Sequence, residues 1–328
     1  MKHFNVLIIG LGSIGRRHIK ILKALIDCSI FVLRQKNKTR EDIPEVEKYL
    51  FDCKEINKIK IDFAIVCNPP IFHVETAIIL AKKNIPFLME KPVCVSMRKI
   101  PQLLDLVKDK GLPVLVGFNL RHHYLYNKIK EIIASKKMGK ILSFLAETGQ
   151  YLPNWRDFDY TTSYSAYRDQ GGGVIFDLTH EIDLAVDLLG EVNSLSCMKK
   201  KMSSLKIDSE DIAEITLSHK NGGICHLHLD YLQKEYTRKF KLIFENGEIF
   251  WDYSSGRLRL TSTNKRSNFS QPENYTRDNT FISQLKHWLE VLSGKQKPLV
   301  SLERGVYISK IALCAHSSSE KRKWINVK

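Results

Sequence analysis

Residues 10–15 read Gly10-Leu11-Gly12-Ser13-Ile14-Gly15, the spacing G-x-G-x-x-G that lets a backbone close around phosphate. In that chemistry Gly10 permits a tight turn, Gly12 lets the main chain approach a pyrophosphate, and Gly15 lets a helix pack closely on a strand. The N–H groups of Ser13 and Ile14 then face the phosphates at the positive end of the helix. A lone match is weak, and a plain glycine-rich turn is the alternative. Placement decides for the cradle, because an apolar run precedes the glycines and an amphipathic run follows them. A second position bears on the same ligand. The next strand ends in Leu33-Arg34-Gln35-Lys36, with no acid to accept hydrogen bonds from ribose hydroxyls. A carboxylate repels a 2′-phosphate, whereas the Arg34 guanidinium binds one and stacks on adenine. The cofactor expected is NADP in preference to NAD; the bland alternative is an arginine in a solvated loop with Lys36 and Lys38.

The elements that must position these residues alternate between two kinds. Apolar runs at 4–9, 30–33, 61–66, 86–89 and 114–117 have the length of strands, and 13–26, 73–83 and 97–110 have the periodicity of helices. Buried strands joined by crossover helices make a parallel sheet covered on both faces. Beyond about residue 120 the pattern changes: a helix at 125–134, a strand at 141–147, an aromatic loop at 151–167, then a glycine run and a helix at 174–189. Strands joined by turn signals such as Asn221-Gly222-Gly223 and Asn246-Gly247 fill 192–260, as in an antiparallel sheet. The segment 261–279 is polar and loop-like, and helices at 281–292 and 302–317 follow. The expected fold class is α/β: an N-terminal doubly wound parallel sheet of Rossmann type over 1–120, and a C-terminal α+β domain with a largely antiparallel sheet over 121–328.

Composition narrows the function classes. With 43% hydrophobic and 27% charged residues the chain has the make-up of a globular protein rather than a disordered or fibrous one. No apolar run reaches the length of a membrane-spanning helix, and Met1-Lys2-His3 leads straight into a strand with no room for a signal peptide. A cytoplasmic location without membrane association is expected. The net charge of +15 is spread along the chain with no nucleic-acid-binding motif beside it, so it is read as a solvated surface attractive to phosphorylated ligands. The seven scattered cysteines form no C-x-x-C pair and read as buried thiols. His226 and His228 share a strand face without further ligands, so no metal is expected.

Three further motifs follow the glycines in order: Asn68-Pro69-Pro70-Ile71-Phe72-His73, Glu90-Lys91-Pro92, and Gly171-Gly172-Gly173-Val174-Ile175-Phe176-Asp177-Leu178-Thr179-His180. Each lies at the end of an expected strand or the start of an expected helix. Together they resemble the Gfo/Idh/MocA family of oxidoreductases over nearly the whole chain. The resemblance implies redox chemistry on sugars, inositols and related polyols. It puts Asn68, Pro69, His73 and Glu90 at the cofactor, and Lys91 beside both nicotinamide and reacting carbon. Ketone reduction leaves an alkoxide that needs a proton, and a lysine whose pKa is lowered by a partly dry pocket can supply one. It also implies that His180 bonds the substrate hydroxyl and Asp177 orients substrate or histidine. Three apart on the expected helix, these two would share a face, with Asp183 adjoining His180. The family pattern commonly has one more residue between Asp and His, which puts the division of labour with Lys91 in question. Arg121, after Gly117-Phe118-Asn119, is expected near nicotinamide and substrate.

The loop Gln150-Tyr151-Leu152-Pro153-Asn154-Trp155-Arg156 offers Tyr151 and Trp155 to stack on a sugar and Arg156 to hold a carboxylate or phosphate. It looks like the loop of family members associated with nonulosonic acids and surface polysaccharides; an aromatic interdomain contact is the alternative. Family members pair through the open face of the second sheet, so a homodimer or homotetramer is expected. Three functional readings stay open: a net redox enzyme on a sugar-like substrate, a member with tightly held cofactor catalysing non-redox glycoside cleavage or elimination, and a non-catalytic dinucleotide sensor. Lys91 and His180 together count against the sensor.

Overall fold

Mostly buried strands alternate with helices of one buried face, and this fixes the first layer of the molecule. The computed structural model describes residues 2–35, 43–263 and 265–327. The chain begins β1 (Phe4–Ile9), α1 (Ser13–Leu25), β2 (Cys28–Leu33), β3 (Val46–Leu50), β4 (Phe63–Val66), α2 (His73–Lys82), β5 (Phe87–Met89), α3 (Ile100–Asp109) and β6 (Val114–Val116). The six strands run parallel in the order β3-β2-β1-β4-β5-β6. Such a sheet reverses direction of winding between β1 and β4, and ligands collect there at the carboxyl ends of the strands. On α1 the buried residues Gly15, His18, Ile19 and Leu22 recur at helical spacing and form the face toward the sheet.

The chain continues with α4 (Tyr124–Ala134), β7 (Ile141–Gly149), α5 (Val174–Asp177), α6 (Thr179–Leu189), β8 (Val192–Lys200), β9 (Ile212–His219) and β10 (Ile224–Asp230). It ends with β11 (Thr237–Phe244), β12 (Gly247–Asp252), β13 (Arg257–Ser262), β14 (Lys265–Ser270), α7 (Arg277–Leu292), α8 (Leu302–Lys321) and β15 (Ile325–Asn326). The second sheet has nine strands in the order β14-β13-β12-β11-β7-β10-β9-β8-β15. Its pairs are antiparallel except β7 with β10, which are parallel. Alternation along β9 is regular: Ala213, Ile215 and Leu217 are fully buried while Glu214 and Thr216 face outward. The helices α5 and α6 cover the inner face over β7, β9 and β10.

The chain's own contacts divide it into two units, residues 1–119 with 277–306 and residues 120–276 with 307–328. The C-terminal domain expected over 121–328 therefore gives up 277–306. The cause is the apolar face of α7, whose Phe281, Leu285, Trp288 and Val291 complete the core around α1, β1, β2 and β4. Three other expectations are corrected. The helix over 174–189 is broken at Leu178, where φ −105° and ψ 35° leave the helical region. The segment 261–279 is not all loop: it holds the end of β13 and all of β14, an edge strand whose exposed Arg266, Asn268 and Ser270 gave no apolar signal. The edge strand β3 also went unseen, because Leu50 is its only buried residue. Among the described residues no helix is long and apolar enough to cross a membrane, and no group of three or more His, Cys, Asp or Glu is arranged to hold a metal.

Candidate active site

In the first unit the glycines carry three different constraints. Gly10 has φ +96°, and a Cβ there would lie 2.6 Å from the Asn68 backbone nitrogen. At Gly15 a Cβ would come 2.2 Å from the Gly10 carbonyl oxygen, so turn and helix touch through their backbones. Gly12 is another matter. It is the N-cap of α1, and a Cβ there would meet no protein atom within 4 Å. The chain's own packing does not need a glycine at this position. No side chain caps α1 and no acid occupies its first turn, where Ser13 and Ile14 lie, an arrangement compatible with an anion at the helix start. The residues present fit a dinucleotide.

Arg34 follows β2, its backbone N–H donating to the Leu50 carbonyl at 3.0 Å. Its guanidinium lies over the Tyr49 ring at 4.9 Å, so β3 supplies a floor for it. The buried Arg34 Nε has no hydrogen-bond partner among the described residues, a donor left over for a ligand oxygen. Lys36 and Lys38 lie outside the described residues.

The loops after β4 and β5 are tied together by one buried histidine. Pro69 and Pro70 set a short turn, and His73 opens α2. The His73 ring nitrogens lie 2.7 Å from the Pro92 carbonyl oxygen and 2.8 Å from that of Asn68. Burial lowers the His73 pKa against the pull of both carbonyls, so the neutral ring donates to one of them at a time. Asn68 Nδ2 donates to Thr76 Oγ1 at 2.9 Å. Lys91, half-buried, stands two residues past β5 at the carboxyl edge of the sheet. Glu90 turns inward: its Oε1 lies 2.8 Å from Nε2 of the fully buried His18 on α1. Gly117 closes over that carboxylate, since a Cβ there would lie 3.1 Å from it. His18 was missed in the sequence, although its place three residues after Gly15 puts it on the inner face of α1.

In the second unit the glycine run admits close contacts that side chains would block. A Cβ on Gly172 would lie 2.4 Å from the Tyr164 carbonyl oxygen, and one on Gly173, at φ +110°, would lie 2.2 Å from Glu210 Oε1. The aromatic loop and Glu210 therefore close directly onto α5. Asp177 ends that helix, buried, and accepts the Tyr164 hydroxyl on Oδ1 at 2.8 Å and the Tyr231 hydroxyl on Oδ2 at 2.6 Å. Burial, reinforced by the Asp177 charge, pushes both hydroxyls well above the usual tyrosine range and keeps them protonated donors. Tyr231 meets Trp155 edge-on at 5.1 Å, and Trp155 Nε1 donates to the Gln150 carbonyl at 2.9 Å. Arg156 Nη1 donates to Ser163 Oγ at 2.5 Å, and Lys234 sits over the Tyr151 ring. His180 lies buried in the first turn of α6, beyond the break at Leu178, so the shared helical face expected for Asp177 and His180 is not formed. Tyr164 and Tyr231 were not singled out in the sequence, and only Tyr164 lay in a segment marked for aromatics.

Arg121 is buried and spends its guanidinium on carboxylates. Its Nε and Nη2 donate to Asp183 at 2.6 and 2.7 Å, and its Nη1 pairs with Asp187. Burial works to raise the Asp187 carboxyl, but Arg121, Tyr126 and Lys130 outweigh it and hold that group below the usual range. Asp183 faces Arg121. A second buried pair, Arg238 Nε on Glu181 Oε1 at 2.8 Å, shares that oxygen with the Thr148 hydroxyl. Both ion pairs fasten α6 from neighbouring elements, and neither had a sequence signal.

Comparison with known proteins agrees with both halves. Residues 4–118 match the model of an oxidoreductase family with an NAD-binding Rossmann fold, and residues 126–250 match the GFO/IDH/MocA C-terminal domain. The myo-inositol 2-dehydrogenase of Thermotoga maritima is 24% identical over 98% of this chain and 97% of its own length. The levoglucosan dehydrogenase of Pseudarthrobacter phenanthrenivorans is 31% identical over 40% of this chain and 34% of its own. A solved levoglucosan dehydrogenase in complex with NADH superposes with a TM-score of 0.87 at 19% identity, covering 100% of both chains, and so shares the fold. The chain belongs to the GFO/IDH/MocA family of oxidoreductases.

Proposed function

We propose that this protein is a nicotinamide-dependent dehydrogenase or reductase that interconverts an alcohol and a carbonyl on a sugar or sugar derivative. The observation that carries the reading is the Gly12 position, a glycine the protein does not need, under the uncapped start of α1. The similar proteins named for inositol and levoglucosan support the substrate class, and the NADH complex supports the cofactor. When bound, the nicotinamide gives or takes the hydride. The protein's residues do the rest. Ser13 and Ile14 hold the pyrophosphate through their N–H groups, and Arg34 takes the adenine ribose, with a preference for the 2′-phosphate of NADP. Lys91 holds the proton that the substrate oxygen loses on oxidation and regains on reduction. His180 bonds the substrate hydroxyl, Asp177 keeps the aromatic loop in place through its two tyrosines, and Tyr151, Trp155 and Arg156 meet the body of the substrate. Arg121 is assigned to fastening α6 rather than to substrate.

Wild-type protein mixed with oxidised dinucleotide and a panel of inositols and aldoses should raise the absorbance of reduced nicotinamide in proportion to substrate consumed. Product formed without that rise points to the non-redox reading, and dinucleotide binding with no turnover to a sensor. The protein works, on this reading, in the cytoplasm as a homodimer or homotetramer. The outer face of the second sheet exposes Leu145, Met198 and Ile224 and is the surface proposed for pairing. A monomer by light scattering at micromolar concentration contradicts that part.

A further inference from the structure

Three arginines of the second unit are held in side-chain networks, and two of them are paired with carboxylates. Arg121 carries Asp183 and Asp187, and Arg238 carries Glu181. Arg156 differs. Among the described residues its polar partners are two serine hydroxyls, Ser163 at 2.5 Å and Ser165 at 3.4 Å, with no carboxylate in ion-pair range. Both serines are buried, and the guanidinium is further flanked by the rings of Trp155, Phe158 and Tyr164 at 6.0, 5.8 and 5.6 Å.

This arrangement fixes the cation without discharging it. Aromatic faces and hydroxyls attract a guanidinium, yet they leave its positive charge unpaired, and the contacts of Nη1 and Nη2 to the serines leave two of its five N–H donors for another partner. The location matters as much. Tyr164 presents its face to Arg156 and its hydroxyl to Asp177, while Trp155 packs on Tyr231, which holds the other oxygen of Asp177. Arg156 thus belongs to the same side-chain network as Asp177.

We propose that Arg156 is an anion-binding subsite and that the substrate is an acidic sugar, carrying a carboxylate or a phosphate that the guanidinium grips with paired N–H donors. The proposal rests on the reading of the Asp177 region as substrate-binding. The positive balance of the chain, +15, works in the same direction by drawing anionic ligands toward it.

Calorimetric titration of the dinucleotide-saturated protein with D-glucose, D-glucuronate and D-glucose 1-phosphate, at fixed ionic strength, tests it. At least one anionic sugar should bind about tenfold or more tightly than glucose. Whichever anion gains identifies the group recognised as carboxylate or phosphate. Arg156→Gln should bring the anionic sugars level with glucose while leaving dinucleotide binding unchanged. Arg156→Lys, which keeps the charge but not the fork, should retain part of the advantage and guards against a fold defect in the glutamine variant. The proposal is overturned when neither anionic sugar outbinds glucose, or when the advantage survives Arg156→Gln. Since the readout is binding, a protein that grips the acidic sugar through Arg156 but oxidises none of the three counts against the redox reading alone.

Discussion

The two units position their candidate residues by opposite means. In the first, backbone does the placing: glycines at a turn and a helix start, strand ends at one edge of a parallel sheet, and carbonyls that anchor His73. In the second, side chains from remote parts of the chain hold one another, as Tyr164 and Tyr231 hold Asp177 and as Asp183 and Asp187 hold Arg121. A backbone cradle tolerates change in its side chains and fails when a Cβ intrudes. A side-chain network fails when one member is lost, because its partners stay buried without compensation. The units should therefore break differently.

The largest effect is expected in the second unit. Arg121→Met leaves the fully buried Asp183 and its neighbour Asp187 without their guanidinium. Removing one partner of such a buried pair costs about 3–5 kcal/mol. Urea unfolding should show a loss of that size, and a loss below about 1 kcal/mol would mean the network is not what holds α6.

A smaller effect separates the units by pH. Burial raises the Glu210 carboxyl to about 6 from the ordinary 4.5, and it sits against Gly173 with its Oε1 accepting the Ile175 N–H at 3.3 Å. Between these values the folded state keeps a proton that the unfolded chain has released. Stability accordingly falls as pH rises through that window, by about 2 kcal/mol, and the cost persists above it. Glu210→Gln should flatten this part of the pH–stability curve. Parallel curves for wild type and variant would assign the slope to other groups.

The smallest effect belongs to the cradle. Gly12→Ala adds a methyl where no protein atom lies within 4 Å, so the unfolding midpoint should not move. Dinucleotide affinity should drop about tenfold or more, near 1.4 kcal/mol, because on the proposed reading the methyl would stand where the pyrophosphate approaches. Unchanged affinity would break the comparison at its base and return Gly12 to the status of an ordinary turn residue.

What could be read in the sequence follows the same division. β1, α1 and the glycine spacing declare themselves within a few consecutive residues, since apolar periodicity and turn chemistry are local. β3 and β14 do not, because edge strands pair through backbone and carry polar side chains. Neither does the break at Leu178, which no glycine or proline marks. The links that define the rest are long: Tyr231 reaches Asp177 across 54 residues, Arg121 reaches Asp183 across 62, and His18 reaches Glu90 across 72. The motif around Asp177 marked candidate residues but not their partners, and the protein partners of Arg121 and Glu90 had no signal either.

The central claim is that a bound nicotinamide exchanges hydride with the substrate while Lys91 carries the proton. Lys91→Met keeps the bulk of the stem and removes that proton carrier. In a single turnover followed by reduced-nicotinamide absorbance, on any substrate the wild type accepts, hydride transfer should slow about 10²–10⁴-fold, with dinucleotide affinity and unfolding midpoint unchanged. Transfer at the wild-type rate would contradict the account.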